Sequence, residues 1–317
     1  MEERLILYNE SLILIRKMEE LEMKTKWKRR DKVLFLWTII PMVLYSLFFI
    51  IPVFMGFNYS ITDWNGLSPK YKYVGLENFK NLFTNKRIFN SIVFTGKYTV
   101  LLVIIVMVLA MLLTLALTYV VAAKFRTAFR SVIFFPAVLS LVTIGLTWNQ
   151  IMYRVLPQLG SFLGIDWLSK NILGSPTTAL WGVLFVNIWQ GTAIPFVMLL
   201  AGIQNVPGDL YEAAKIDGAG PLRLFKNITL PFMIPTINVA FVLVLKSGIC
   251  VFDFIQAMTA GGPMRSTESA GVLIYQLAFA DGKAGLASSY AVLLLLVIAV
   301  ISAIQMKVSS KMEVGQL

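Results

Sequence analysis

The sequence contains no histidine, a single cysteine and few charged residues, which make up 14% of its 317 residues. Without histidine, imidazole acid–base catalysis and the usual histidine metal sites are excluded, and one cysteine cannot form an intrachain disulfide. Soluble domains carry about a quarter charged residues, so a composition that is 57% apolar disfavours a single water-soluble globule. The residue types available predict neither a metal site nor a cofactor site.

The apolar residues occur in long uninterrupted runs. A bilayer core of about 30 Å requires about 20 apolar residues in a helix. Five runs of this length contain no charged residue, namely 33–57, 98–123, 131–153, 178–204 and 284–306. A sixth run, 232–260, contains Lys246 and Asp253. The sequence therefore predicts an all-α polytopic membrane protein with six transmembrane helices and both termini on the same side.

The distribution of basic residues predicts the orientation of these spans. The segments 1–32, 124–130, 205–231 and 307–317 together carry 17 Lys and Arg residues, whereas the segments expected on the opposite side carry 9. Cytoplasmic loops are enriched in Lys and Arg. We therefore expect a cytoplasmic basic segment over 1–32, a six-helix transmembrane domain over 33–306 and a cytoplasmic tail over 307–317.

The net charge of +11 does not require a nucleic-acid partner. The basic residues lie where the positive-inside rule places them and where anionic lipid headgroups attract them. Apolar residues recur at roughly helical spacing within 1–22. This segment is either an amphipathic helix on the inner leaflet or lies before a true start at Met23, and the sequence leaves both alternatives open.

The loop between the fourth and fifth spans contains signals for two short helices. Asp209 and Glu212 have the spacing of an N-terminal capping pair, and Gly218 can end the first helix in the left-handed conformation. Pro221 suits the first turn of the second helix, and Pro231 is predicted to end it. Small side chains beside two acidic residues favour a docking surface for another protein, and the alternative is an interfacial helix that only joins two spans.

Two segments of the sequence resemble a known family. Residues 212–219 (EAAKIDGA), followed by 228–231 (ITLP), resemble the EAA loop of membrane permease subunits of bacterial ABC importers. Residues 252–263 (FDFIQAMTAGGP) and 266–268 (STE) are similar to the end of the fifth span in permeases for carbohydrates and glycerol phosphate. The resemblance extends over about residues 33–306.

The resemblance implies a type I ABC importer permease, multi-pass in the bacterial plasma membrane. It also implies four kinds of partner: a cytoplasmic ABC ATPase dimer, a second homologous permease subunit, an extracytoplasmic substrate-binding protein and a carbohydrate substrate. The positions that match the family's ATPase contacts are Glu212, Ala213, Ala214, Asp217 and Gly218.

The chain has no phosphate-binding loop of its own, which would end in Gly-Lys-Ser or Gly-Lys-Thr. Its two Gly-Lys pairs are followed by Tyr98 and Ala284. ATP hydrolysis is therefore expected in a separate subunit, and the chain itself is not expected to be an enzyme.

Polar residues within the spans are candidates for a substrate pathway, because exposing them to lipid is costly. The candidates are Asn149, Asn187, Trp189, Gln190, Asp253 and Gln256. Amides, a carboxylate and aromatic faces suit a neutral polyhydroxyl ligand. The alternative is that these side chains bridge helices or lie at the membrane interface.

A self-sufficient ion-coupled secondary transporter is the alternative function. Lys246 and Asp253 are seven residues apart and would share a face of one helix, as an ion relay requires. The sequence disfavours this alternative, because it has one intramembrane acid, no histidine and no visible pair of matching half-repeats.

Overall fold

The structure is a computed structural model that describes residues 34–313. The segment 1–33 and the last four residues lie outside this range, so the two alternatives for residues 1–22 are not addressed by it. Within 34–313 the chain is helical, with one isolated antiparallel bridge between Thr62 and Tyr73. The predicted all-α class is confirmed.

Two compact units divide the chain, residues 1–58 and residues 59–317. The described part of the first unit is apolar and helical, and it belongs to helix α1 (Leu34–Ser60). A π-helical segment, Ser46–Ile50, interrupts this helix.

Within 34–313, five helices are long and apolar enough to cross a bilayer: α1, α3 (Lys86–Val120), α6 (Ala179–Gln204), α8 (Pro221–Ile249) and α11, whose apolar part is Ala284–Gln305. The third predicted span, 131–153, corresponds to the helix pair α4 (Ala123–Val138) and α5 (Leu141–Leu163). The short helices are α2 (Glu77–Thr84), α7 (Gly208–Ile216), α9 (Asp253–Met258) and α10 (Ala270–Ala280).

The third span, predicted over 131–153, falls on two helices and not on one. Helices α4 and α5 meet at 94°. Leu139 and Ser140 between them are extended, and the Leu139 N–H bonds to the carbonyl of Pro136 at 3.4 Å. The basic segment 124–130, predicted as a turn, lies inside α4, so the second span ends at Val120 and the true turn comes directly after it.

The boundaries predicted for the second and fifth spans are also wrong. Helix α3 begins at Lys86, well before residue 98, because a helix accommodates exposed charged residues in its first turns as readily as a loop does. Helix α8 starts at Pro221 and ends at Ile249. Lys246 and Asp253 consequently lie on different helices, and the shared helix face required by the ion-relay hypothesis does not exist.

Small residues set how closely the spans pack. A Cβ atom added to Gly248 of α8 would lie 2.8 Å from the Thr99 side chain of α3. The same addition at Gly202 of α6 would lie 2.9 Å from the Thr236 hydroxyl of α8. Such close approach is typical of transmembrane helix interfaces. The largest cluster of buried apolar residues lies around the fully buried Tyr98, where α3, α5, α6 and α9 meet.

Candidate functional site

The 205–231 loop folds as a helix, a tight turn and the start of a second helix. Helix α7 has Pro207 at its N-cap position, with no side-chain capping bond. The predicted capping role of Asp209 is therefore wrong. Its carboxylate lies in the first turn, where it still interacts favourably with the helix dipole.

Gly218 ends α7 in the left-handed conformation, as predicted. Its φ is +75°, and the Ala219 N–H bonds to the carbonyl of Ala214 at 2.9 Å. A Cβ atom at position 218 would meet nothing within 4 Å. Glycine is therefore favoured here by the backbone conformation, and the space around it is open.

Pro221 lies in the first turn of the second helix, as predicted, but Pro231 does not end that helix. A π-helical segment, Phe225–Thr229, joins the two parts of α8, and the Leu230 N–H bonds to the carbonyl of Phe225. The change in hydrogen-bond pattern falls next to Pro231, which has no N–H to donate. The loop therefore continues directly into the fifth span.

The outer face of α7 and its turn is open. Four of the five residues predicted to contact an ATPase are exposed: Glu212, Ala213, Asp217 and Gly218. Ala214 is half-buried. Ile216 and Leu222 are 87% and 79% exposed, which places two apolar side chains on the same surface. The sequence analysis missed both, although single apolar residues beside acidic ones were a visible signal.

The inner side of α7 is attached through Tyr211. Its hydroxyl lies 2.8 Å from Oγ1 of Thr229, which is fully buried. Burial raises the pKa of the Tyr211 hydroxyl, the bond to Thr229 lowers it, and the electrostatic interaction with the nearby Tyr119 raises it. The sequence analysis did not identify Tyr211, because its partners are distant in the chain.

The structure brings most of the predicted pathway residues to one region. Helix α9 packs against α5 and α6, so Gln256 of α9, Asn149 of α5 and the adjacent Trp189 and Gln190 of α6 belong to three neighbouring helices. Asp253 is half-buried in the first turn of α9.

Two of the predicted pathway amides bond to protein groups. Asn149 Nδ2 donates to the carbonyl of Met258 at 2.6 Å. Asn187 is 3% exposed and its Nδ2 donates to the Tyr98 hydroxyl at 2.8 Å. By contrast, Oε1 of Gln256 is buried and has no hydrogen-bond partner. Gln256 is therefore a pathway candidate whose buried carbonyl oxygen has unused hydrogen-bonding capacity.

A cavity of about 590 Å³ opens between α3 and α6. Lys97, Val100, Trp181 and Ser266 contribute to its lining. The sequence analysis did not assign these residues to a pathway, although a lone lysine within an apolar run was a visible signal. Among the described residues, no group of three Cys, Asp or Glu side chains is placed to hold a metal ion.

A charged cluster lies at the opposite end of the spans from α7. The Arg87 guanidinium donates to Glu268 at 2.7 Å and to Asp281 at 3.0 Å, and it also bonds to Gln276. The Glu268 side chain is 4% exposed. This cluster joins the start of α3 to the segments on either side of α10.

Comparisons with known proteins give a consistent result. Residues 123–314 match the family described as binding-protein-dependent transport system inner membrane component. The multiple sugar-binding transport system permease protein MsmF of Streptococcus mutans is 40% identical over 280 residues, covering 88% of this chain and 96% of that protein. The trehalose/maltose transport system permease protein MalF of Thermococcus litoralis is 30% identical over 293 residues, covering 90% and 96%.

The fold matches as well. A crystal structure of a bacterial ABC transporter involved in alginate import contains a chain that superposes with a TM-score of 0.78 at 22% identity, covering 90% of this chain and 98% of that one. The resemblance noted in the sequence is thereby confirmed, and so are the type I ABC importer permease fold and the multi-pass location in the plasma membrane. This chain belongs to the family of binding-protein-dependent transport system inner membrane components.

Proposed function

We propose that this chain is a translocation-pathway subunit of an ATP-driven importer for a sugar or oligosaccharide, coupled to a separate cytoplasmic ATPase through the 205–231 loop. The observation that carries the proposal is the open face of α7, which ends at Gly218 and runs directly into the fifth span. The names of the relatives support a carbohydrate substrate, since they refer to multiple sugars and to trehalose and maltose.

The partners follow from the same reasoning. We expect a second homologous permease subunit, an ATPase dimer and an extracytoplasmic substrate-binding protein. Support for the last comes from a related alginate transporter, whose structure was solved with a periplasmic protein that holds an alginate pentasaccharide. Closure of the ATPase dimer on ATP would rock the spans between inward-open and outward-open states.

The surface chemistry of α7 suits an ATPase cleft. Ala213 and Gly218 allow close approach of a partner backbone, and Glu212 and Asp217 can pair with its basic residues. The exposed Ile216 and Leu222 add apolar area to the contact. The five proposed contacts are Glu212, Ala213, Ala214, Asp217 and Gly218.

The substrate pathway is proposed along the packed helices α5, α6 and α9. Gln256, with its unpartnered buried carbonyl oxygen, and the exposed face of Trp189 are the groups best placed to contact a polyhydroxyl ligand. Gln190 and Asp253 are half-buried nearby. Asn149 and Asn187 position these helices through their bonds to protein groups.

A matched pair of glycine substitutions tests the coupling proposal. Gly164 and Gly218 both adopt left-handed φ angles, +69° and +75°, and a Cβ at either would meet nothing within 4 Å. The two substitutions Gly218→Trp and Gly164→Trp therefore impose similar backbone strain at sites on different helices. Gly218→Trp should abolish co-purification of the ATPase, whereas Gly164→Trp should retain it.

Charge reversal gives a second variant at the same surface. Glu212→Lys should also lose the ATPase while inserting into the membrane at the normal level. Normal co-purification in both loop variants would contradict the docking role. Gradient-driven sugar uptake by the purified chain alone would instead favour the secondary transporter.

A further inference from the structure

We infer that Tyr211 is a positioning residue that ties α7 to the ends of two spans, so that a displacement of the loop moves α8 and α3 with it. The inference rests on the proposed coupling function and adds the route by which the displacement reaches the spans.

The attachment of α7 by its backbone alone is weak. None of its nine residues is buried. At its C-terminal side the chain passes through Gly218 and Gly220, both exposed and both with open space where a side chain would be. A short exposed helix between such linkers can swivel when a partner pushes on it.

Tyr211 provides the first lateral attachment. Its hydroxyl lies 2.8 Å from Oγ1 of Thr229, at the end of the π-helical segment through which the loop enters α8. Thr229 is fully buried, and its Oγ1 also lies 3.5 Å from the carbonyl of Leu224. The contact therefore reaches a rigid, buried point of the fifth span.

Tyr119 provides the second attachment. This residue lies in the last turn of α3, and its hydroxyl interacts electrostatically with that of Tyr211, which places α7 beside the end of the second span. The end of α3 is itself fixed by Arg126, which donates to the carbonyls of Val121 at 3.1 Å and Thr118 at 2.9 Å. One side chain on the loop thus connects to two spans that pack against each other.

The test measures whether the loop and the fifth span move as one body. In a Cys250→Ser background, spin labels at Lys215→Cys and Val239→Cys report the distance between α7 and an exposed position of α8. The measurement is made on the assembled complex, first without nucleotide and then trapped with ATP and vanadate. With Tyr211 present, we expect one narrow distance distribution that is the same in both states.

Removing either hydroxyl should release the loop. In Tyr211→Phe and in Thr229→Val we expect a second, longer distance, with the ratio of attached to released forms lowered about fivefold, the effect of one hydrogen bond. Thr229→Ser keeps the hydroxyl and should restore the narrow distribution. Tyr153→Phe, at an exposed tyrosine of α5, is the control and should change nothing.

The outcomes separate this inference from the docking proposal. The ATPase should co-purify with Tyr211→Phe, because the outer face of α7 is unchanged. A narrow distribution in Tyr211→Phe with the ATPase bound would overturn the role of Tyr211 and leave the docking proposal intact. Equal broadening in Thr229→Ser and Thr229→Val would also overturn it, since the hydroxyl would then be irrelevant.

Discussion

The two ends of the long helix α3 are held in different ways. At the Lys86 end, Arg87 binds Glu268 and Asp281, and Thr95 Oγ1 accepts a hydrogen bond from the Ala270 N–H at 2.8 Å. At the Val120 end, the corresponding contact to the loop is through Tyr211. The first end is a partly buried network of charged and polar groups, and the second is a small contact beneath an exposed helix.

Because one end of α3 is held and the other can be displaced, α3 can transmit a movement of the loop along the spans. A fully paired buried network resists deformation, because each broken bond leaves a desolvated polar group. An exposed helix with open space around its glycines can accept a partner and be displaced. The spans are thus fixed relative to one another at the Arg87 end and free to respond at the α7 end. The two ends are about 50 Å apart along α3, at a helix rise of 1.5 Å per residue.

The comparison requires the Arg87 end and the α7 end of α3 to face different compartments, and labelling from outside the cell tests this requirement. In a Cys250→Ser background, Leu67→Cys, 91% exposed, should react with a membrane-impermeant thiol reagent added to intact cells. Asp209→Cys should not react until the membrane is permeabilised. We expect an all-or-none difference because the basic loops are proposed to be cytoplasmic, and the reverse pattern would invert the topology.

Arg87→Ala should produce the largest loss of stability. It leaves the 4% exposed Glu268 carboxylate without its cation. Because Arg87 is itself 21% exposed, we expect a loss of about 3 kcal/mol, the lower end of the cost of breaking a buried pair. Thermal unfolding of the solubilised protein measures the effect. Lys86→Ala, at the exposed neighbouring position, is the control, and an equal loss there would show that the Arg87 network is not what fixes this end.

Gly248→Ala tests the place where α8 crosses α3, between the two ends of α3. The new methyl group would lie 2.8 Å from Thr99 Cγ2 and 3.0 Å from Thr99 Cα, and overpacking of this kind costs about 1–3 kcal/mol. Gly96→Ala on α3 meets nothing within 4 Å, so it should be neutral or slightly stabilising. Melting temperatures that fall equally in both variants would show that the close approach of α3 and α8 is unimportant.

The smallest stability effects are expected among the pathway residues. Asn149→Leu removes a bond to the Met258 carbonyl and should cost about 1 kcal/mol. Gln256→Leu removes an oxygen that has no partner, so stability should be retained. Uptake of the transported sugar should fall in Gln256→Leu, and a pure stability loss there would remove Gln256 from the pathway.

Sequence patterns predicted the features that depend on local chemistry. The number of spans follows from the length of the apolar runs, and the end of α7 follows from Gly218, because few other residues tolerate its φ of +75°. Pro231 shows the limit of such local rules. A π-helical segment lets the helix continue past it, and no sequence pattern specifies that segment.

Features that depend on distant residues were not predictable. The bond between Arg87 and Glu268 joins positions 181 residues apart. The 94° bend after Val138 lies within an uninterrupted apolar run, so the apolar pattern does not reveal it. Likewise, the bond from Asn187 to the buried Tyr98 joins positions 89 residues apart.

Site-specific cross-linking of α7 to the ATPase tests the central proposal most directly. In a Cys250→Ser background, Ala213→Cys, exposed on the outer face of α7, is treated with a short bifunctional thiol reagent in membranes that contain the complete transporter. Leu67→Cys is the control. We predict a cross-linked product with the ATPase for Ala213→Cys alone, with a yield that changes when ATP and vanadate are added. Failure of Ala213→Cys to cross-link to the assembled ATPase, with or without nucleotide, would contradict coupling through this loop.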